Sequence, residues 1–98
     1  MLIPIVIRKE YRITVEYDSK NHIIVYHSDV YQFNKTIYKK YVEDFNKLRS
    51  LHSSENVYVY AYTANKLTIK FAEKLGFSVY KVIGDLTFMI NKANKNNT

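Results

Sequence analysis

The chain has 98 residues, a hydrophobic fraction of 47% and no cysteine, which points to one globular domain and excludes disulfides and thiolate metal sites. A chain of this size buries roughly two thirds of its unfolded surface, enough for a core without covalent staples. Fifteen Lys and Arg against nine acids give a formal charge of +6, which favours anionic partners such as nucleic acid, phosphate ligands or an acidic protein surface, and also serves solubility.

Leu2 to Ile7 reads as a short strand. Pro4 cannot donate to a ladder, which places this strand at an edge or a strand start. The apolar run Met1 to Ile7 is too short to cross a membrane and has no small-residue cleavage site, so a cytoplasmic protein without membrane contact is expected. Tyr11, Ile13, Val15 and Tyr17 alternate with Arg12, Thr14 and Glu16, the period of a half-buried strand. Asp18 to Asn21 is turn chemistry, and His22 to His27 reads as the returning strand of a hairpin. A helix follows, with Ile37, Tyr41, Phe45 and Leu48 at helical spacing and with Lys35, Lys39, Lys40, Glu43, Asp44 and Lys47 on the opposite face. Asn34 or Asp29 caps its start, and it ends near Leu51.

Val57 to Thr63 is a strand with Val57, Val59 and Ala61 on one face and Tyr58, Tyr60 and Tyr62 on the other. Both faces are apolar, so a central strand covered on both sides is expected. Ala64 to Leu75 is a second helix, apolar at Leu67, Phe71 and Leu75 and closed by Gly76 as a left-handed C-cap with Phe77 packing back. Ser78 to Ile83 and Leu86 to Ile90 form a hairpin around Gly84-Asp85. The order β-ββ-α-β-α-ββ implies an α+β fold: a single mixed, mostly antiparallel sheet with two helices packed on it. Residues 1–91 form the domain, and 92–98 read as a flexible polar tail.

Asn65-Lys-Leu-Thr-Ile-Lys-Phe-Ala-Glu-Lys-Leu-Gly-Phe77 resembles the closing motif of GNAT acetyltransferases, in which an Asn opens a helix that ends in Lys-Leu-Gly-Phe. The preceding order of hairpin, helix and strand is similar as well. The likeness runs over about His22 to Lys92, is of the small phage-encoded type and includes a shortened N-terminal part. Abundant Lys, Asn, Ile and Tyr, all with AT-rich codons, agree with a phage source. The resemblance implies acetyl-CoA as cofactor, held at the pyrophosphate by a loop of the form Gln/Arg-x-x-Gly-x-Gly/Ala at a helix start. Gln32-Phe-Asn-Lys-Thr-Ile37 stands at that place, with Lys35 and Ile37 where the small residues belong. The β-branched Ile37 is expected to obstruct close approach of a phosphate, and Lys35 to offer a compensating charge. The Tyr that many members use as general acid is Ala72 here, with Tyr80 and Tyr62 as substitutes.

The expected function is therefore an inactive GNAT-like protein that binds a protein partner, a host factor or virion component in the host cytoplasm, with no cofactor. A minimal acetyl-CoA-dependent N-acetyltransferase using Gln32, Lys35 and Asn65 is the alternative. A nucleic-acid binder is the third reading. Tyr58, Tyr60 and Tyr62, with Lys39 and Lys40, are the candidate partner surface, and the same tyrosine face suits a homodimer. Arg8, Lys9, Arg12 and Lys20 are read with the helix lysines as an electropositive patch. Asn65 is read chiefly as a helix cap. His27 ends a strand where a general base could lie, but no carboxylate is near it in sequence. His22, His27 and His52 lack ligand spacing, so no metal is expected.

Overall fold

In the computed structural model, residues 1–93 are described, and the expected polar tail lies outside them from residue 94 onward. Eight elements follow in chain order: β1 (Leu2–Ile7), β2 (Tyr11–Asp18), β3 (Ile23–Val30), α1 (Lys35–Leu51), β4 (Val57–Tyr62), α2 (Lys66–Lys74), β5 (Ser78–Ile83) and β6 (Leu86–Asn91). The strands form one six-stranded sheet in the order β1-β2-β3-β4-β6-β5. Every neighbouring pair is antiparallel except β3 and β4, whose crossover through α1 makes them parallel. The fold is thus a mixed α+β sheet with two helices.

Alternation decides which side is buried. Tyr11, Ile13 and Val15 of β2 are buried, as are Ile24 and Tyr26 of β3, Val57 of β4 and Met89 of β6. These pack against Ile37, Tyr41, Phe45 and Leu48 of α1 and against Ala72 and Phe77 around α2. Phe45 is the hub, with ring centroids 5.9 Å from Phe77, 6.0 Å from Tyr26 and 6.5 Å from Tyr41. Both helices therefore cover the same face of the sheet.

The termini of the elements follow local chemistry. The Asn34 side chain accepts from the Ile37 amide and caps α1, while Asp29, the other candidate cap, is a residue of β3. α2 starts at Lys66 rather than Ala64 because Asn65 takes the cap position and accepts from Thr68 N. It ends with Gly76 at φ +99, the Gly76 amide donating to Glu73 O at 3.0 Å and the Phe77 amide to Ala72 O at 3.1 Å. This pair of bonds satisfies the last carbonyls and seats Phe77 in the core. Gly84 at φ +58 opens the two-residue β5–β6 turn. β1 is an edge strand, as Pro4 required, with a register shift between Pro4 and Val6. β3 runs on to Val30 rather than stopping at His27, because its whole length pairs with β2.

Three expectations are corrected. β4 is central, but it is covered on one side only: its tyrosines lie on the face without helices, and Tyr60 and Tyr62 are exposed. Leu67 is 82% exposed, since α2 begins only one residue earlier and its first turn overhangs the core. Asp44 does not face solvent with the lysines. It falls seven residues after Ile37 and three after Tyr41, on the buried stripe, and is 8% exposed.

Candidate functional site

The even-numbered residues of β2 and the odd-numbered residues of β3 project onto the uncovered face, together with Tyr58, Tyr60 and Tyr62 of β4 and Phe88 of β6. A cavity of about 430 Å³ lies against this face, lined by Glu16, Asp18, Ile23, Val25, Tyr58, Tyr60, Tyr80, Lys81, Ile83 and Phe88. Its aromatic walls come in pairs, Tyr58 with Tyr80 at 5.6 Å and Tyr60 with Phe88 at 5.7 Å between centroids.

His27 adjoins this cavity. Its ring meets Tyr60 edge-on at 5.5 Å, and its Nε2 donates to Glu16 Oε1 at 2.7 Å. The carboxylate absent from the local sequence is thus supplied across the hairpin, where Glu16 stands diagonally from His27. A carboxylate on Nε2 fixes the ring and its tautomer and leaves Nδ1 as the acceptor, the arrangement a general base requires.

β3 and β4 pair only at Ile24–Val57 and Val25–Tyr58. Beyond that point β3 continues to Val30 and β4 to Tyr62, each paired with its other neighbour alone. The strands part at their carboxyl ends, where α1 and α2 begin. In open sheets with parallel strands this is the usual position of a ligand crevice. The helix starts there are partly occupied: the Asn34 and Asn65 side chains each take one amide. Gln32 and Lys35 are exposed beside the α1 start. Ile37 is buried in the core and does not block that end, contrary to the expectation from its branched side chain.

Two polar clusters lie on the helix side. Arg8 grips Asp44 with two bonds, Nε to Oδ2 at 2.5 Å and Nη2 to Oδ1 at 2.9 Å, and the Tyr11 hydroxyl donates to Oδ2 at 2.5 Å. The Arg8 bonds in particular hold the Asp44 carboxyl below the usual carboxylate range. Burial, reinforced by Asp44, pushes the Tyr11 hydroxyl well above its usual value. His52 is held between Tyr17 at 3.0 Å and Tyr26 at 2.8 Å. Among the described residues no buried side-chain nitrogen or oxygen lacks a partner. These clusters are fully satisfied and read as structure. Arg8, expected in a basic patch, is instead spent on Asp44, and Lys40 lies 3.9 Å from Glu10.

The site residues expected from sequence separate into three places. Tyr58, Tyr60 and Tyr80 meet at the cavity, and Tyr62 stands exposed farther along the same face. Gln32, Lys35 and Asn65 lie at the helix starts, with Asn65 engaged as a cap. Lys39 and Lys40 belong to α1, on the opposite side of the sheet from the tyrosines. Ala72 is buried against the core. Sequence reading missed Glu16, Asp18 and Phe88 as wall residues. Strand alternation carried the signal for Glu16 and His27; the pairing of β4 with β6, which brings Phe88 beside Tyr60, did not show in the local pattern.

Charge is divided between the layers. α1 carries Lys35, Lys39, Lys40, Lys47 and Arg49 against Glu43 and Asp44, and α2 carries Lys66, Lys70 and Lys74 against Glu73. The helices thus hold a surplus of five positive charges, nearly the whole formal +6. Among the described residues no group of three metal-ligating side chains occurs, and no helix is long and apolar enough to cross a membrane. Neither the family models nor the curated proteins nor the solved structures compared with this chain match it.

Proposed function

We propose that the chain is a GNAT-like domain of phage type that works by binding a protein partner on its open sheet face, and that it does not transfer acetyl groups. The observation that carries this reading is the uncovered face itself: a central strand exposes Tyr60 and Tyr62, and the edge strand β5 exposes Tyr80 and Ile83. Exposed aromatic surface gathered in one place marks an interaction site. Ala72 supports the same reading, since it has no proton to give a leaving thiolate. So does the Asn34 cap, which uses an amide that a pyrophosphate would need. A thermal-shift screen with acetyl-CoA and coenzyme A tests this: no stabilisation is expected, and a saturable rise in Tm overturns the inactive reading.

A working acetyltransferase is the second reading, favoured by the parted strands β3 and β4 and by the His27–Glu16 pair. It requires acetyl-CoA binding that weakens in Lys35→Glu. Nucleic-acid binding ranks below both. Single-strand binders place aromatics within a basic groove, whereas here the tyrosines and the lysine-rich helices lie on opposite sides of the sheet.

A further inference from the structure

We propose that the cavity on the open sheet face receives a cationic side chain, a lysine or arginine carried by the protein partner. This rests on the partner-binding reading above and specifies the chemistry of that partner. Three observations carry it. The walls are aromatic, with Tyr58, Tyr60, Tyr80 and Phe88 in two close ring pairs, and ring faces attract ammonium and guanidinium groups. The carboxylates of Glu16 and Asp18 stand on the β2 side of the same cavity. The Asn21 side chain and backbone amide hold the Asp18 carboxyl below the usual range, so it carries its charge at neutral pH.

The third observation is the distribution of charge. The strand residues on this face include Glu16, Asp18 and Asp29 against Arg12 and Lys81, an acidic surplus in a protein whose helices are strongly basic. A basic segment is repelled from the helix layer and drawn to the sheet face. An anion finds little here, because the amides of β4 and β6 are consumed by their ladder and, among the described residues, Lys81 is the one cation lining the cavity. Lys81 is exposed and makes no ion pair within 4.0 Å among the described residues, so it is free to swing aside. A free polyamine would fill the cavity but leave Tyr62, 64% exposed farther along the same face, uncovered. A peptide covers it, which favours a protein-borne side chain.

The test is a titration of the full chain, followed by NMR of its aromatic rings, with four pentapeptides identical except for a central lysine, arginine, norleucine or glutamate. A spermidine arm separates a free cation from a protein-borne one. The lysine and arginine peptides are expected to shift the rings of Tyr58, Tyr60, Tyr80 and Phe88 at concentrations up to roughly 10 mM, a weak single-anchor affinity. Asp18→Asn and Tyr60→Leu should each weaken this at least about threefold, and Lys81→Gln should strengthen it, as expected for the loss or gain of one partly exposed charge or ring contact. Two independent weakening variants guard against one of them disturbing its strand. The site is overturned if no peptide binds, if norleucine or glutamate binds as well as lysine, or if the shifts fall on α1 and α2. Spermidine binding more tightly than the lysine peptide overturns the protein-borne source. Stabilisation by acetyl-CoA with the lysine titration intact would sink the inactive reading and leave this site standing. A captured partner indifferent to Asp18→Asn and Tyr60→Leu would do the reverse.

Discussion

The two faces of one sheet are built from the same strands yet differ in almost every physical respect. On the helix side, Tyr11, Tyr26 and Tyr41 are buried, and each hydroxyl has a partner: Asp44, His52 and Ser28 respectively. On the open side, Tyr60, Tyr62 and Tyr80 are about half exposed or more, and none has a side-chain hydrogen bond among the described residues. The same residue type is thus used twice. Buried, it supplies volume and a satisfied polar handle; exposed, it supplies a surface that water wets poorly. The difference teaches that tyrosine content by itself says nothing about role, and that the covering layer decides it.

Stability should reside on the helix side, and Phe45→Ala is the strongest way to break that claim. It removes the ring that joins Tyr26, Tyr41 and Phe77, and should cost about 3–5 kcal/mol in denaturant unfolding. A loss under about 1 kcal/mol would mean that α1 is not seated as described. Asp44→Ala comes next. It strands the Tyr11 hydroxyl and releases Arg8, and should cost about 1–3 kcal/mol, toward the lower end because the Arg8 side chain is 40% exposed.

The same cluster gives a pH signature. The Asp44 carboxyl is lowered in the folded state chiefly by its bonds from Arg8. Its contribution is therefore complete above the unfolded carboxyl value of about 3.9 and declines as the pH falls from there toward the lowered folded value. Tyr11, Tyr26 and Tyr41 are raised, each mainly by burial. Their contribution is complete below the unfolded tyrosine value of about 10 and is lost as the pH climbs toward the raised folded values. Alkaline unfolding should begin above about pH 10, and ultraviolet difference spectra should show these rings ionising together with unfolding. Ionisation of Tyr11, Tyr26 and Tyr41 with the fold intact would contradict their burial.

Much of this division was legible in the sequence. The clean alternation of Tyr11 to Tyr17 and the spacing of Ile37, Tyr41, Phe45 and Leu48 mark the buried sides, and Gly76-Phe77 marks the end of α2. What escaped local reading depended on pairs distant in the chain. The charge of Asp44 suggests a surface acid although its place is on the buried stripe, and the partners that offset its burial, Arg8 and Tyr11, lie 36 and 33 residues away. Two apolar faces on β4 suggested two covers, but a strand cannot report how many helices exist to cover it. The cavity required the strand order, since β4 meets β6 before β5 and so brings Phe88 and Tyr80 beside the β4 tyrosines.

The smallest expected effect is also the sharpest for function. Replacing Tyr60 and Tyr62 together by Ser removes two exposed rings from a strand whose ladder to β6 is made by the backbone. Each change should alter unfolding free energy by no more than about 1 kcal/mol, the scale of the cross-strand ring contacts that Tyr60 makes with His27 and Phe88. The pair should still abolish binding of a partner docked on this face, read by calorimetry on the same preparation. Serine keeps a hydroxyl, so loss of binding would report loss of ring area and not of a hydrogen bond. A large loss of stability would instead show that the open face is held by contacts within the chain. Stability and function would then no longer be assigned to opposite sides of the sheet.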